Sequence, residues 1–309
     1  FHTWNVKRIK PAVFAPYDLS VENYTSLLWL FEGFTSYYDD LILVRSGLIS
    51  QDDYFGLLGK VIGGVQRGSG RLKQSVAESS FDAWVKYYRQ DENAPNAIVS
   101  YYTKGSLVAL AFDLTIRAQT NNRKSLDDVM RLLWQRFGRE FYRGKPVGVE
   151  ESEIEALFAE ATGAKLTGLF AEAVHGTRDL PLDTLLAPFG VAIAPELDKN
   201  GKPSLGARVR GGADCTLAAV HEGGAAQKAG LSAGDVLIAL DGLRVTGSNL
   251  DGLLARYQPG AKVEVHAFRR DELRTTQVKL DGPEVARYKL AVSDRRAAAR
   301  KAREHWLAR

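Results

Sequence analysis

The sequence predicts a multi-domain protein: a mainly α-helical first part, a small α+β domain, and a basic helical tail. Three observations predict it. Apolar residues recur at three-to-four-residue spacing up to about residue 187. From about residue 188 they give way to short apolar runs separated by glycine-rich turns. The last stretch alternates arginine, lysine and alanine. The boundaries so drawn are 1–187, 188–283 and 284–309.

The bulk numbers agree with that division. A chain of 309 residues can build two domains with real cores. Its 45% hydrophobic and 25% charged residues are those of an ordinary globular protein. The net charge of +4, from 41 basic and 37 acidic residues, makes no case for nucleic acid. Cys215 is the single cysteine, so disulfides within the chain and a four-cysteine zinc site are excluded. One cysteine does not set the compartment, which stays open between cytoplasm and periplasm. No apolar run approaches the roughly 20 residues that span a bilayer.

Taken in order, Leu27, Leu30, Phe31, Phe34, Tyr38 and Leu41 make one helical stripe. Glu32 lies off it, on the flank with Leu28, Thr35, Ser36 and Asp39, and must face water, a cation or a metal. Residues 51–62 read as a second helix, with Tyr54, Leu57, Leu58 and Val61 on one face. Gly63-Gly-Val-Gln-Arg-Gly-Ser-Gly70 lacks the ending of a phosphate loop and reads as a flexible connection. Ser80–Arg89 reads as a short helix and turn. Ser100-Tyr-Tyr-Thr-Lys-Gly105 opens a long helix with Leu107, Leu110, Ala111 and Leu114 as its stripe. Tyr102 sits on the flank of that helix with Ser106, Ala109 and Asp113, and by itself reads as a core or surface tyrosine. Ser125-Leu-Asp-Asp128 is a capped helix start, and Gly163 closes a glutamate-rich helix over 150–162. A further helix, 164–174, ends at His175-Gly176, where a histidine complements the helix dipole.

Strands follow at 191–194, 206–209, 217–220, 236–240, 263–268 and 275–278. His221 and His266 read as ordinary strand residues. Trp306 near the chain end is expected to pack on the body beneath a solvated basic helix.

Several stretches resemble one family. Phe1-His2-Thr-Trp-Asn-Val-Lys-Arg-Ile9, Glu32-Gly-Phe-Thr-Ser-Tyr-Tyr38, Ser80–Arg89 with Asp91–Asn96, and Tyr102 with Lys104-Gly105 look like the glycyl aminopeptidases. These are gluzincin zinc metallopeptidases that carry a PDZ domain after a thermolysin-like catalytic domain. The resemblance implies that His2 and Glu32 bind zinc, since two histidines at i and i+4 plus a carboxylate from a second helix suit that metal. It implies that Tyr102 donates a hydrogen bond to the oxyanion of the tetrahedral intermediate. The first histidine and the general-base glutamate of the family's His-Glu-x-x-His would precede residue 1. The expectation is therefore a fragment, truncated inside its zinc helix and inactive as it stands, of an aminopeptidase releasing glycine or alanine.

Gly223-Gly-Ala-Ala-Gln-Lys-Ala-Gly-Leu-Ser-Ala-Gly-Asp-Val-Leu-Ile-Ala-Leu-Asp-Gly242 resembles a circularly permuted PDZ domain. Such a domain takes an extended C-terminal peptide as an added strand. The resemblance assigns the carboxylate loop to Ser204, Leu205 and Gly206, the strand to Ala207 onward, and the facing helix to Leu250, Leu253 and Leu254. Those leucines also read as plain core. The alternative for the whole chain is a non-catalytic peptide-binding module on a helical scaffold.

Overall fold

A computed structural model describes residues 1–144, 146–198 and 201–308. The expected stripe is buried throughout, but its first turn is wider than an α-helix. Trp29–Gly33 is π-helical and runs into helix α1 (Phe34–Arg45). Capping boxes start α2 (Gln51–Arg67), α3 (Val76–Phe81) and, after the short α4 (Ala94–Ala97) and the long α5 (Thr103–Gln119), α6 (Leu126–Leu133). In each a serine (Ser50, Ser75, Ser125) and an acid three residues on satisfy each other's free amide. The glutamate-rich segment becomes α7 (Ile154–Thr162), closed by Gly163 at φ 67°. Helices α8 (Thr167–Leu169) and α9 (Leu182–Leu186) follow.

Helix α5 is the centre of the helical body. It is buried on nearly every side from Lys104 to Leu114, not along one stripe as its sequence suggested. Its Asp113 is fully buried and satisfied: it pairs with Arg117 at 3.0 Å and accepts from the Tyr37 hydroxyl at 2.7 Å and the Leu126 amide at 2.9 Å. A buried carboxylate needs that many donors to stay in place.

The glycine-rich stretch after residue 62 is a correction: α2 continues through Gly63 and Gly64 to Arg67. Strand β8 (Val285–Val292) lies across this helix. A Cβ at Gly59 would sit 2.0 Å from the Tyr288 carbonyl oxygen, and one at Gly63 3.6 Å from the Arg287 Cα. The glycines admit a strand backbone rather than loosening the chain.

Strand β8 pairs antiparallel with β1 (Val191–Leu197), a partner about ninety residues back. Val191 and Leu290 join the core of the helical body, so this ribbon belongs with the helices and not with the second domain. The second core begins only at Leu205 and ends at Leu280. It lies within a sheet ordered β2 (Ala207–Arg210), β3 (Cys215–Val220), β4 (Val236–Leu240), β6 (Lys262–Arg269) and β7 (Glu272–Lys279), with β5 (Leu243–Arg244) on β4. Helices α10 (Ala225–Lys228) and α11 (Leu250–Leu254) complete it. Asp241-Gly242, both at positive φ, make the β4–β5 turn.

The small domain is thus inserted between the two strands of a ribbon, and the chain returns to the helical body. Helix α12 (Ala297–Leu307) ends that return. Trp306 is fully buried against Tyr54, Phe55 and Phe189 and donates to the Tyr37 hydroxyl at 3.0 Å. Arg45 and Arg117 hold the last-turn carbonyls of Trp306 and His305. Asn96 pins the two domains together: its amide donates to the Val220 carbonyl at 2.8 Å and accepts from the Glu222 amide at 2.9 Å. Lys73 adds an ion pair with Glu222 at 2.6 Å. Among the described residues, no helix is long and apolar enough to cross a membrane.

Candidate metal centre and peptide groove

The π-helical turn positions Glu32. Such a turn leaves carbonyls poorly matched, and here they are taken from outside. The Asn5 side-chain amide donates to the Phe31 carbonyl at 2.8 Å and the Leu30 carbonyl at 3.3 Å. The Thr35 hydroxyl donates to Phe31 as well, at 2.7 Å. At the front of the turn, the Trp29 amide donates to Ser80 Oγ at 2.9 Å.

Asn5 also works in the other direction. His2 Nδ1 lies 3.2 Å from the Asn5 carbonyl oxygen, which accepts the ring proton. That bond orients the ring and turns Nε2 toward Glu32. His2 Nε2 then stands 3.1 Å from Glu32 Oε2. Burial pushes the Glu32 carboxyl above its ordinary range, and the His2 charge partly offsets this. An imidazole nitrogen and a carboxylate oxygen, both turned to one point, are donors of the kind zinc takes. Among the described residues no group of three histidine, cysteine, aspartate or glutamate side chains completes a metal site.

Tyr102 stands at the start of an element that crosses the Glu32 turn through glycine. The π-helical turn and α5 cross where Gly33 meets Gly105; a Cβ at Gly33 would lie 2.5 Å from the Gly105 carbonyl carbon. This contact carries Glu32 and Tyr102 on adjoining elements. Burial holds the Tyr102 phenol above its usual range, with the Tyr88 bond and the Glu32 charge adding to it. Tyr88 bonds to Tyr102 and Tyr101, each at 3.2 Å, and Tyr87 stacks beside them. At neutral pH Tyr102 is therefore a neutral donor.

Three side chains that sequence reasoning passed over belong here. Asn5 stands inside the quoted Trp-Asn-Val-Lys-Arg-Ile stretch, and only its contacts reveal its task. Tyr88 falls in the Ser80–Arg89 stretch, whose sequence carries a family resemblance but names no task. The Tyr17 phenol is held above its usual range first by burial and next by the Glu32 charge. His175, by contrast, terminates a π-helical turn at Phe170–Val174.

In the small domain, Ser204, Leu205, Ala207, Leu250 and Leu254 line one cavity of about 220 Å³, closed by Arg67 and Glu284. Leu253 turns away and is packed in the domain core. Gly206, at φ 65°, presents its amide to Ser204 Oγ at 2.8 Å and lines the neighbouring hollow. Lys202 crosses the groove mouth to Asp251 at 2.8 Å.

Comparison with known proteins agrees with this anatomy. Residues 1–108 match the M61 glycyl aminopeptidases, and residues 203–280 match the PDZ domain. The aminopeptidase N family protein from Idiomarina loihiensis superposes with a TM-score of 0.89 at 38% identity, over 99% of this chain and 53% of that one. This chain therefore spans about half the length of that relative. A serine endoprotease from Yersinia pestis (18% identity, 27% of this chain and 30% of that one, TM-score 0.25) is too slight a likeness to bear on the fold. The same holds for the HtrA-type protease AlgW with decapeptide (22%, 26% and 30%, TM-score 0.25). No curated protein matches the chain. The chain therefore carries a region similar to the M61 glycyl aminopeptidases over residues 1–108 and a PDZ domain over residues 203–280.

Proposed function

We propose that this chain is part of a zinc-dependent aminopeptidase that releases N-terminal glycine, and alanine less readily, from peptides. The observation that carries the reading is the 3.1 Å approach of His2 Nε2 to Glu32 Oε2, with the His2 ring held by Asn5 and Tyr102 at the start of the adjoining helix. His2 and Glu32 would hold the metal. A third ligand and a general base would come from a longer protein, because the chain spans 53% of its structural relative and no set of three donors is found among its described residues. The 309 residues by themselves are then inactive.

Zinc, when bound, polarises a carbonyl and lowers the pKa of a water molecule. The chain's own residues do the rest. Asn5 keeps the His2 lone pair aimed, and burial keeps water from loosening Glu32. Tyr102, held in its neutral form, offers a proton where negative charge develops on the peptide oxygen. The PDZ groove binds the C-terminal end of a peptide as a strand added to β2.

The test compares this chain with a longer protein that includes a His-Glu-x-x-His segment. The longer protein should bind one zinc and hydrolyse glycyl-p-nitroanilide faster than alanyl-p-nitroanilide, and Glu32→Gln should abolish both. A longer protein that binds no zinc would leave the non-catalytic PDZ module as the reading.

A further inference from the structure

The groove and the helical body share a wall. Strand β2 has a partner on one side only, β3, so its other edge is open. Along β2 the side chains alternate. Ala207 and Val209 line the groove with Leu250 and Leu254; Arg208 lines only a second cavity of about 440 Å³ between the domains, which Ala207 also borders. Arg67, the last residue of α2, reaches both cavities. His221 and Glu284 also line the second one.

The charge there is unbalanced. Among the described residues, the guanidinium groups of Arg67 and Arg208 have neither a carboxylate partner nor a hydrogen bond. Glu284, which also accepts the Ser204 hydroxyl, sets one negative charge against these two positive ones. The imidazole of His221 reports the same field: burial pushes its pKa down, Glu284 opposes this, and Arg67 and Arg208 both add to the lowering. Two guanidinium groups thus converge on one hollow with a single acid beside them.

We propose that this hollow reads an acidic side chain of the peptide bound in the groove, with Arg67 of the peptidase domain and Arg208 of the PDZ domain as its partners. The proposal rests on the reading of β2 as a peptide-binding edge. An added antiparallel strand alternates its side chains across the sheet face. When the C-terminal side chain enters the apolar groove at Leu250 and Leu254, the second-from-last and fourth-from-last side chains project toward Arg208 and Arg67. The ligand class is therefore a peptide with an apolar C-terminal residue, a free carboxylate, and Asp or Glu at one of those two positions. Asn96 keeps the domains docked, so half of this recognition comes from outside the PDZ domain.

The experiment titrates the 309-residue chain with fluorescein-labelled hexapeptides ending in Leu. Glu, Gln or Lys stands at the second-from-last or fourth-from-last position, and each peptide is made with a free or an amidated C-terminus. At low salt the Glu peptide should bind about three- to ten-fold tighter than the Gln peptide, and the Lys peptide more weakly than either. Arg67→Gln and Arg208→Gln should each remove that preference while leaving the need for a free carboxylate. Equal binding of Glu, Gln and Lys peptides that still require the free carboxylate overturns this proposal alone. So does an unchanged preference in a folded Arg67→Gln chain, with folding checked by far-UV circular dichroism. If amidated and free peptides bind alike, or none binds, the PDZ reading itself falls and takes this one with it.

Discussion

Gly33 and Gly105 touch backbone to backbone: a methyl group added to Gly33 would lie 2.5 Å from the Gly105 carbonyl carbon and 2.6 Å from its Cα. Each glycine follows a motif residue closely, Glu32 in one case and Lys104 in the other. The contact lets the π-helical turn and α5 approach without side chains between them, and that approach brings the carboxylate within electrostatic reach of the Tyr102 phenol. Gly33→Ala should therefore destabilise the chain by about 3 kcal/mol or more, since neither backbone can give way. Urea unfolding checks it, and a change within experimental error would mean that the helices can slide apart freely.

Asn5 ties the loop of His2 to the turn of Glu32. Asn5→Ala removes its bonds to Leu30 and Phe31 in a buried place and should lower stability by about 1–3 kcal/mol. In a longer, zinc-binding protein it should also weaken the metal about 10- to 100-fold. Stability that falls while metal affinity holds would make Asn5 a structural residue only.

The pH dependence of stability should carry the signature of Glu32. Its folded-state pKa lies above the ordinary 4.5 because burial disfavours the charge. Between those two values the folded chain binds more protons than the unfolded one, so stability falls as pH rises through the folded pKa. The Glu32 contribution is present in acid and lost toward neutrality. Glu32→Gln should then be more stable than the parent at pH 7 and no more stable at pH 4, read from the difference in urea midpoints. The opposite order would show that the His2 attraction outweighs burial.

Tyr102→Phe tests the donor role. In a longer, active protein it should lower kcat about 100- to 1,000-fold with little change in KM, as for loss of an oxyanion donor. Tyr88→Phe should be milder, because Tyr88 only holds Tyr102. Equal losses in both would assign the role to the tyrosine cluster rather than to Tyr102.

The chain end is structural. Trp306→Ala removes a fully buried indole and its bond to Tyr37, and should cost about 3–5 kcal/mol. Calorimetry would show a lower Tm for the helical body. An unchanged Tm would detach α12 from that core.

Much was legible before folding because it is local. Ser50, Ser75 and Ser125 cap helices with acids three residues away, and Gly163 and Asp241-Gly242 mark stops and turns through backbone conformations that few residues adopt. Alternating runs placed most strands of the small domain, and Glu32, Tyr102 and His2 stood out by the company they keep in sequence. Interactions between distant residues were not legible. Gly59 and Gly63 look like a flexible stretch until Tyr288 lies across them. Strand β1 looks like the start of the small domain until β8, about ninety residues on, becomes its partner.

So the residues in order determined which segments become helix or strand and which side chains have the chemistry for a metal, an oxyanion and a peptide terminus. The tertiary structure alone decided that His2 faces Glu32, that Asn5 aims the ring, and that Arg67 meets Arg208 between domains. The physical reason is the range of the forces: caps, turns and periodicity act within a few residues. Burial, π-turn satisfaction and paired charge depend on groups that only the folded chain brings together.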